Sequence, residues 1–249
     1  MTAMPLAGLL AQAFQFIGHN GRLSDDPQAP TLVHLTLETL KIAGIGVALS
    51  MVIAIPIGVW LGHIHRGSFV AINVGNIFRA LPSLAVLAIG VAIIGLGLWN
   101  LELALIVLAV PPIITNAYVA IDSVDRDIVD AARGMGCNEW QIVRGVELPL
   151  GLPLIFAGIR TAALFVISTT TIAALTGYSG SLGEIINDEP SYHLSGVLGA
   201  AICIAALALV VDWLLAGVQR TLTPRGLKLA EDRGAAEAPG IAPLLTNTQ

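Results

Sequence analysis

The chain has 249 residues, of which 55% are hydrophobic and only 12% are charged, and its mean hydropathy is +0.82. Water-soluble domains carry about 25% charged residues, so the composition excludes an ordinary soluble protein and indicates an integral membrane protein. The net charge of −5 and the lack of a dense Lys/Arg run argue against a nucleic-acid partner. Two cysteines, Cys137 and Cys203, are too few for a disulfide framework or a metal site.

Five apolar stretches come near the roughly 20 residues that a helix needs to cross the hydrocarbon layer, where helices are the only open-chain structure with a satisfied backbone. The predicted spans are 42–61, 81–98, 101–121, 152–175 and 197–218. Pro82 and several glycines interrupt the second span. Residues 67–80 are interpreted either as a lead-in helix or as part of a sixth span.

The two ends of the chain differ from this membrane domain, which we place at residues 34–220. The first 33 residues are interpreted as an extracytoplasmic or interfacial segment. Residues 221–249 are rich in Ala, Pro, Glu and Gly and carry no apolar period, so they are predicted to be a disordered cytoplasmic tail.

Basic residues collect on one side of this map, and cytoplasmic loops retain Lys and Arg. With five spans, one side carries nine of the twelve basic residues: Arg66, Arg79, Arg126, Arg133, Arg144, Arg220, Arg225, Lys228 and Arg233. The loop 179–195 on the other side contains none. The pattern predicts an N-terminus outside the cell and a C-terminus in the cytoplasm.

A loop of 28 residues, 122–149, joins the third and fourth predicted spans and is long for a simple connection. Apolar side chains recur in it at helical spacing and predict one apolar stripe on a short helix: Ile128, Ala131, Ala132 and Met135. Gly134 and Gly136 then allow a turn. A second short helix follows, which Pro149 is expected to stop before the next span. Such an amphipathic hairpin is suited to a groove in another protein.

Seven positions of this loop follow a recognisable spacing: Asp130, Ala131, Ala132, Gly136, Val146, Leu148 and Pro149. The spacing resembles the loop of permease subunits of ATP-binding cassette importers, which reads Glu-Ala-Ala, three residues, Gly, nine residues, Ile, one residue, Leu-Pro. Asp replaces Glu and Val replaces Ile here, and both changes keep charge or shape. The resemblance implies an all-α, MetI-like permease whose loop docks on an ATPase and transmits its closure, with Gly134 in the same turn.

Four further stretches, 81–90, 111–125, 148–162 and 175–186, resemble the osmoprotectant branch of these importers. That branch imports glycine betaine, choline, carnitine or proline betaine, and its GAGGLG pattern is replaced here by the more polar 177–183. The resemblance implies a cytoplasmic ATPase dimer that holds ATP and Mg²⁺, a second permease subunit, identical or related, and an extracytoplasmic solute-binding protein. The chain itself is expected to bind no cofactor. Its spans hold few aromatic rings for a quaternary-ammonium cage, so we expect the binding protein to select the substrate.

Two charged residues fall inside predicted spans at similar depth. Arg160 lies about 12 Å from the start of its span and Asp212 about 9 Å from the end of its own. Charged groups in a membrane face protein or water, so we expect the two to pair, in a structural or a gating role.

Polar side chains of the third and fourth spans are candidates for a translocation path: Asn116, Ser168, Thr169, Thr170 and Thr171. Hydroxyls in membrane helices commonly bond back to their own carbonyls, so a purely structural role is the simpler interpretation.

Two other functions stay open. A secondary carrier or channel could have the same hairpin, and Gly177-Tyr178-Ser179-Gly180 is similar to the motif of rhomboid-type proteases, which would need a histidine beside Ser179. Neither lysine follows a phosphate-binding loop, so ATP-driven transport requires a separate ATPase and the chain is not expected to be an enzyme. No catalytic residue or metal site is assigned, and His63 and His65 are interpreted as a cluster at the membrane edge.

Overall fold

The structure, a computed structural model, describes residues 6–19, 31–65, 73, 75 and 81–223. Within those ranges the ordered elements are helices, and no strand occurs. The α-helices are α1 (Leu6–Gly18), α2 (Leu32–His63), α3 (Ser83–Ile94), α4 (Leu98–Asp122), α5 (Arg126–Gly134), α6 (Glu139–Ile142), α7 (Leu148–Ile172), α8 (Gly183–Asn187) and α9 (Glu189–Leu222). A π-helical turn, Val143–Glu147, joins α6 to α7, and a 3₁₀ turn, Ala173–Thr176, follows α7.

Four helical stretches of the described chain are long and apolar enough to cross a membrane: Leu32–His63, Leu98–Asp122, Glu139–Thr176 and Glu189–Leu222. They confirm the prediction of an all-α membrane protein. The second predicted span is shorter than expected, since α3 has 12 residues, which rise about 18 Å. Gly95 and Gly97 separate α3 from α4 with φ angles of +93° and +139°, a region that glycine enters at little cost.

Helix α4 lies at the centre of the bundle, between α2 and α7. Glycines bring the three backbones close together: a Cβ added to Gly58 of α2 would lie 2.6 Å from the Cβ of Ala117, and one added to Gly158 of α7 would lie 2.6 Å from the Cβ of Asn116. Small residues at helix contacts are typical of membrane bundles, where dispersion forces rather than water exclusion hold helices together. Close backbone packing therefore fixes α4 between its neighbours.

Helix α9 packs against α7 on one side and α1 on the other. Phe16 of α1 is buried against Gly199 of α9, so the helical part of the N-terminal segment is attached to the bundle. The outer side of α9 exposes large apolar groups, with Leu209 at 70% and Trp213 at 77% exposure. These side chains form a lipid-compatible surface. The predicted tail after 223 and most of 67–80 lie outside the described residues.

The expectation that Pro149 stops the second helix of the loop is wrong. Pro149 is the second residue of α7, and the helix runs without a break from Glu139 to Thr176. The π turn explains the difference, because the N–H of Leu148 donates to the carbonyl of Val143, five residues back. Proline has no N–H to donate, and the widened turn just before it lets the continuous helix pass this position without ending.

Candidate functional site: a helical hairpin joined to the bundle

Local hydrogen bonds define both ends of α5. Asp125 caps its first turn by accepting from the backbone N–H two residues on, at 2.9 Å. At the other end Gly136 has a φ of +88°. Its N–H donates to the backbone carbonyl of Arg133 at 3.0 Å, and the N–H of Cys137 donates to the backbone carbonyl of Ala132 at 3.2 Å. These two bonds are a Schellman motif, which needs a left-handed residue at the position of Gly136. The glycine of the sequence pattern therefore has a backbone role.

Helix α6 begins with a capping box. The side chain of Asn138 accepts from the N–H of Gln141 at 2.9 Å, and the side chain of Gln141 accepts from the N–H of Asn138 at 2.8 Å. Reciprocal capping of this kind satisfies two orphan backbone donors and fixes the point at which a helix starts. We call residues 126–142, from α5 to α6, the hairpin.

The hairpin has a small core of its own. Val129 and Ala132 of α5 are 8% and 3% exposed and pack with Ile142 and with Val124 at the end of α4. Val146, from the π turn, is partly buried against the same group. This core attaches the hairpin to α4 and α7, so the hairpin is coupled mechanically to two membrane helices.

The apolar stripe predicted for α5 is only partly correct. Ala132 is buried, but Ile128 and Met135 are 46% and 79% exposed, and Ala131 is exposed as well. The face turned inward is that of Val129 and Ala132, because α5 packs there against the second arm of the hairpin, the π turn and the end of α4. Helical spacing identifies apolar residues on α5, but it does not show which of them pack against the rest of the chain.

The remaining apolar groups of α5 and its C-terminal end form what we call the outer face of the hairpin: Ile128, Ala131 and Met135. Apolar side chains gathered on a polar segment outside the bundle indicate a surface for another protein. Gly134 leaves this side open, with no atom within 4 Å of an added Cβ. Leu148 and Pro149, from the same pattern, lie half-buried where α7 begins.

Charged side chains link the hairpin to the bundle. Arg133 donates to Asp130 at 3.0 Å and to both oxygens of Glu139 at 3.1 and 3.2 Å. His63, the last residue of α2, contacts Glu139 at 3.3 Å through Nε2 and Glu147 at 2.8 Å through Nδ1. Sequence reasoning missed His63 and Glu147 as partners, because 84 positions separate them and no local spacing connects them.

Arg160 of α7 and Asp212 of α9 meet in a bidentate pair. Nε donates to Oδ1 and Nη2 to Oδ2, both at 2.7 Å. The pair lies about 18 Å from the start of α7 and about 15 Å from the end of α9, at 1.5 Å per residue. The two predicted side chains are therefore together and tie the outermost long helix to the bundle.

The polar residues predicted for a translocation path are bonded mainly within their own helices. Asn116 donates to the carbonyl of Pro112 at 2.8 Å. The hydroxyls of Ser168, Thr170 and Thr171 donate to carbonyls four residues back, at 2.9, 2.8 and 3.1 Å. Thr169 and Thr170 are fully buried, whereas Ser168 is exposed. A part in the translocation path stays a prediction for these residues.

The loop after α7 folds back on the bundle. The N–H of Leu182 donates to the hydroxyl of Thr39 in α2 at 3.0 Å, which fixes the loop over the end of that helix. Beside Ser179, the N–H of Gly180 donates to Glu184 at 2.8 Å and the hydroxyl of Ser181 donates to the carbonyl of Thr170 at 3.2 Å.

Comparison with known proteins identifies the family. Residues 54–224 match the family described as the binding-protein-dependent transport system inner membrane component. The chain is 36% identical over 198 residues to the glycine betaine/carnitine/choline transport system permease protein OpuCB of Bacillus subtilis, covering 79% of this chain and 91% of that protein. It is 33% identical over 222 residues to the carnitine transport permease protein OpuCB of Listeria monocytogenes, covering 89% and 96%.

Solved structures show the same fold. The inward-facing methionine transporter MetNI matches 81% of this chain and 100% of its own chain with a TM-score of 0.69 at 24% sequence identity. A second crystal form of that transporter gives a TM-score of 0.70. The family match covers more than half of the chain and includes the hairpin, α7 and α9. The chain therefore belongs to the inner-membrane components of binding-protein-dependent transport systems, as the permease subunit of an ATP-binding cassette importer.

Proposed function

We propose that this permease subunit imports a quaternary-ammonium osmoprotectant of the glycine betaine, choline or carnitine type, driven by ATP that a separate ATPase hydrolyses. The relatives named for these substrates align over most of their own length, which supports the substrate class. The chain acts as the membrane part of the machine and not as an enzyme. The binding protein, outside the membrane, selects the substrate.

The observation that carries the proposal is the outer face of the hairpin. A short helix anchored by its own buried core, α5, exposes Ile128 and the following Met135 at 46% and 79%. An amphipathic helix of this kind binds by inserting its apolar side chains into a groove of its partner. We propose that the groove belongs to the ATPase and that α5 is the coupling helix.

The proposed assembly has two permease subunits, because the helices of one chain form only one wall of a pathway. The N-terminus lies outside the cell and the hairpin and C-terminus lie in the cytoplasm, as the placement of basic residues indicates. ATP binding closes the ATPase dimer, α5 moves with it, and the membrane helices change from inward to outward access. Hydrolysis then restores the inward-facing state.

The test is reconstitution of the chain with its ATPase and binding protein in liposomes, followed by uptake of labelled glycine betaine with and without ATP. Met135→Asp places a charge on the outer face and is expected to reduce co-purification of the ATPase about tenfold or more, the size expected when a charge enters a desolvated contact. Leu96→Asp is the matched control, since Leu96 is also apolar, lies between two glycines and is 67% exposed. It is expected to leave ATPase binding unchanged.

Two results would overturn the proposal. Uptake that proceeds at the same rate without nucleotide would identify a carrier or channel. ATPase binding that survives Met135→Asp and Ile128→Asp together would show that the outer face of the hairpin is not the docking surface.

A further inference from the structure

A continuous line of charged contacts leads from the surface of the hairpin into the bundle. It begins at Asp130 and Arg133 on α5, passes through Glu139 at the start of α6, and continues through His63 at the end of α2 to Glu147 in the π turn. Exposure falls along the line, from 69% at Asp130 to 16% at His63 and 1% at Glu147. The line therefore joins an exposed docking element to a buried point between membrane helices.

The imidazole of His63 is held on both sides. Nδ1 lies 2.8 Å from the Oε2 of Glu147, and Nε2 lies 3.3 Å from the Oε2 of Glu139. A carboxylate can only accept a hydrogen bond, and imidazole donates from both nitrogens when it is protonated. In that form His63, at the end of α2, contacts two carboxylates of the continuous helix 139–176 through charge-assisted contacts, which are stronger than neutral ones.

The other titratable groups near His63 have partners of their own. Arg133, from α5, donates to both oxygens of Glu139, including the Oε2 that the His63 ring contacts. Asp122, at the end of α4, contacts His65 at 2.8 Å. The two neighbouring histidines thus differ in what they connect, because His63 reaches the hairpin and His65 reaches α4 only.

An apolar cavity lies beside these contacts. It has a volume of about 440 Å³ and lies between α2, α6 and α7, and its lining includes His63, Glu139, Trp60 and Trp140. Its walls are otherwise apolar. On this side of α6 the polar contact with α2 is the one between Glu139 and His63.

We propose that His63 is the positioning residue that transmits movement of the coupling helix to the membrane helices, since its ring, at the end of α2, contacts both Glu139 of the hairpin and the buried Glu147. This inference rests on the proposed function of the hairpin as the ATPase docking element. When the ATPase shifts α5, Arg133 pulls Glu139, and His63 passes the displacement to the end of α2. Loss of this link should separate ATP hydrolysis from transport without preventing assembly.

The experiment measures ATP hydrolysis and uptake of labelled glycine betaine together, in liposomes that hold the complete complex. His63→Gln keeps one donor for Glu147 and loses the second contact. Glu139→Ala removes the same link from a side chain that is 60% exposed, so folding is preserved. For both variants we expect hydrolysis within about twofold of the unmodified complex and uptake per ATP lower by about tenfold, a typical size for a coupling between two sites. His65→Gln is the control and should keep the normal ratio.

Three results decide the matter. A normal ratio of uptake to hydrolysis in both His63→Gln and Glu139→Ala would overturn the role of His63. A parallel fall of hydrolysis and uptake, or loss of the ATPase on purification, would show that the contacts only maintain structure and would equally reject the inference. Absence of ATP-dependent uptake in the unmodified complex would reject the proposed function itself, so the two failures are distinguishable.

Discussion

Replacing Gly58 by alanine tests whether close backbone packing holds α2 against α4. The new Cβ would lie 2.6 Å from the Cβ of Ala117 and 2.8 Å from the carbonyl oxygen of Ile114, whereas carbon atoms in contact prefer about 3.5–4.0 Å. The helices must separate by about 1 Å, and overpacking of this kind costs about 1–3 kcal/mol. Alanine also recovers up to about 1 kcal/mol of helix propensity. We expect Gly58→Ala to lower the free energy of unfolding by about 1 kcal/mol.

Gly44→Ala isolates the clash, because Gly44 lies in the same helix with no atom within 4 Å of an added Cβ. Gly44→Ala gains the same helix propensity without the clash, so the variant should be up to about 1 kcal/mol more stable than the unmodified chain. The resulting gap of about 2 kcal/mol corresponds to about 4–8 °C in Tm for a chain of this size. Thermal unfolding of the purified chain in detergent, followed by tryptophan fluorescence, measures it. Equal Tm values for the two variants would refute the packing argument, and Gly58→Ala with Ala117→Gly should recover part of the loss.

Three further substitutions test the ion pair and the hairpin. Asp212→Leu leaves Arg160 unpaired and should lower the free energy of unfolding by about 2 kcal/mol. This is less than the 3–5 kcal/mol expected when a fully buried pair is broken, because both side chains are about one-third exposed. Adding Arg160→Met should restore most of the Tm, and a double variant no more stable than Asp212→Leu alone would contradict this. Ala132→Leu should lower the stability of the hairpin by about 1–3 kcal/mol, because the larger side chain overpacks its core. The measurement is the rate of proteolysis of the loop, which should rise. Gly136→Ala should lower stability by about 1–2 kcal/mol, because alanine is strained in the left-handed conformation of Gly136, and it should speed proteolysis of the same loop. Gly134→Ala should have neither effect. Equal cleavage rates for the two variants would refute the role of Gly136 in the turn.

The helices and the ion pair could be predicted because both depend on regular geometry. A backbone in lipid must be helical, so hydropathy alone located α4 at 101–121, against an observed Leu98–Asp122. The pairing of Arg160 with Asp212 is predictable from their similar depth in the membrane, because each residue of a helix adds a constant rise of 1.5 Å. The spacing around Gly136 was informative for the same reason, since a Schellman turn fixes one glycine at one distance from the helix.

Features that depend on distant contacts could not be predicted. Periodicity cannot tell whether Val129 or Ile128 faces the chain, because that choice depends on which neighbour packs against α5. Pro149 was expected to end a helix, and only the wider turn before it makes the proline harmless. The contact between His63 and Glu147 exists because α2 ends where the π turn passes, and neither local sequence contains a sign of the other.

The π turn Val143–Glu147 also adds one residue to the helix that carries the hairpin. Each α-helical residue rotates the chain by about 100°, and a π turn holds one residue more than a regular turn within about the same rotation. Deleting a single residue from it would therefore leave a regular α-helical turn, with Trp140 and everything before it nearly unrotated about the axis of α7. The surplus amino acid thus widens the helix locally, beside Glu147, and leaves the direction of the hairpin nearly unchanged.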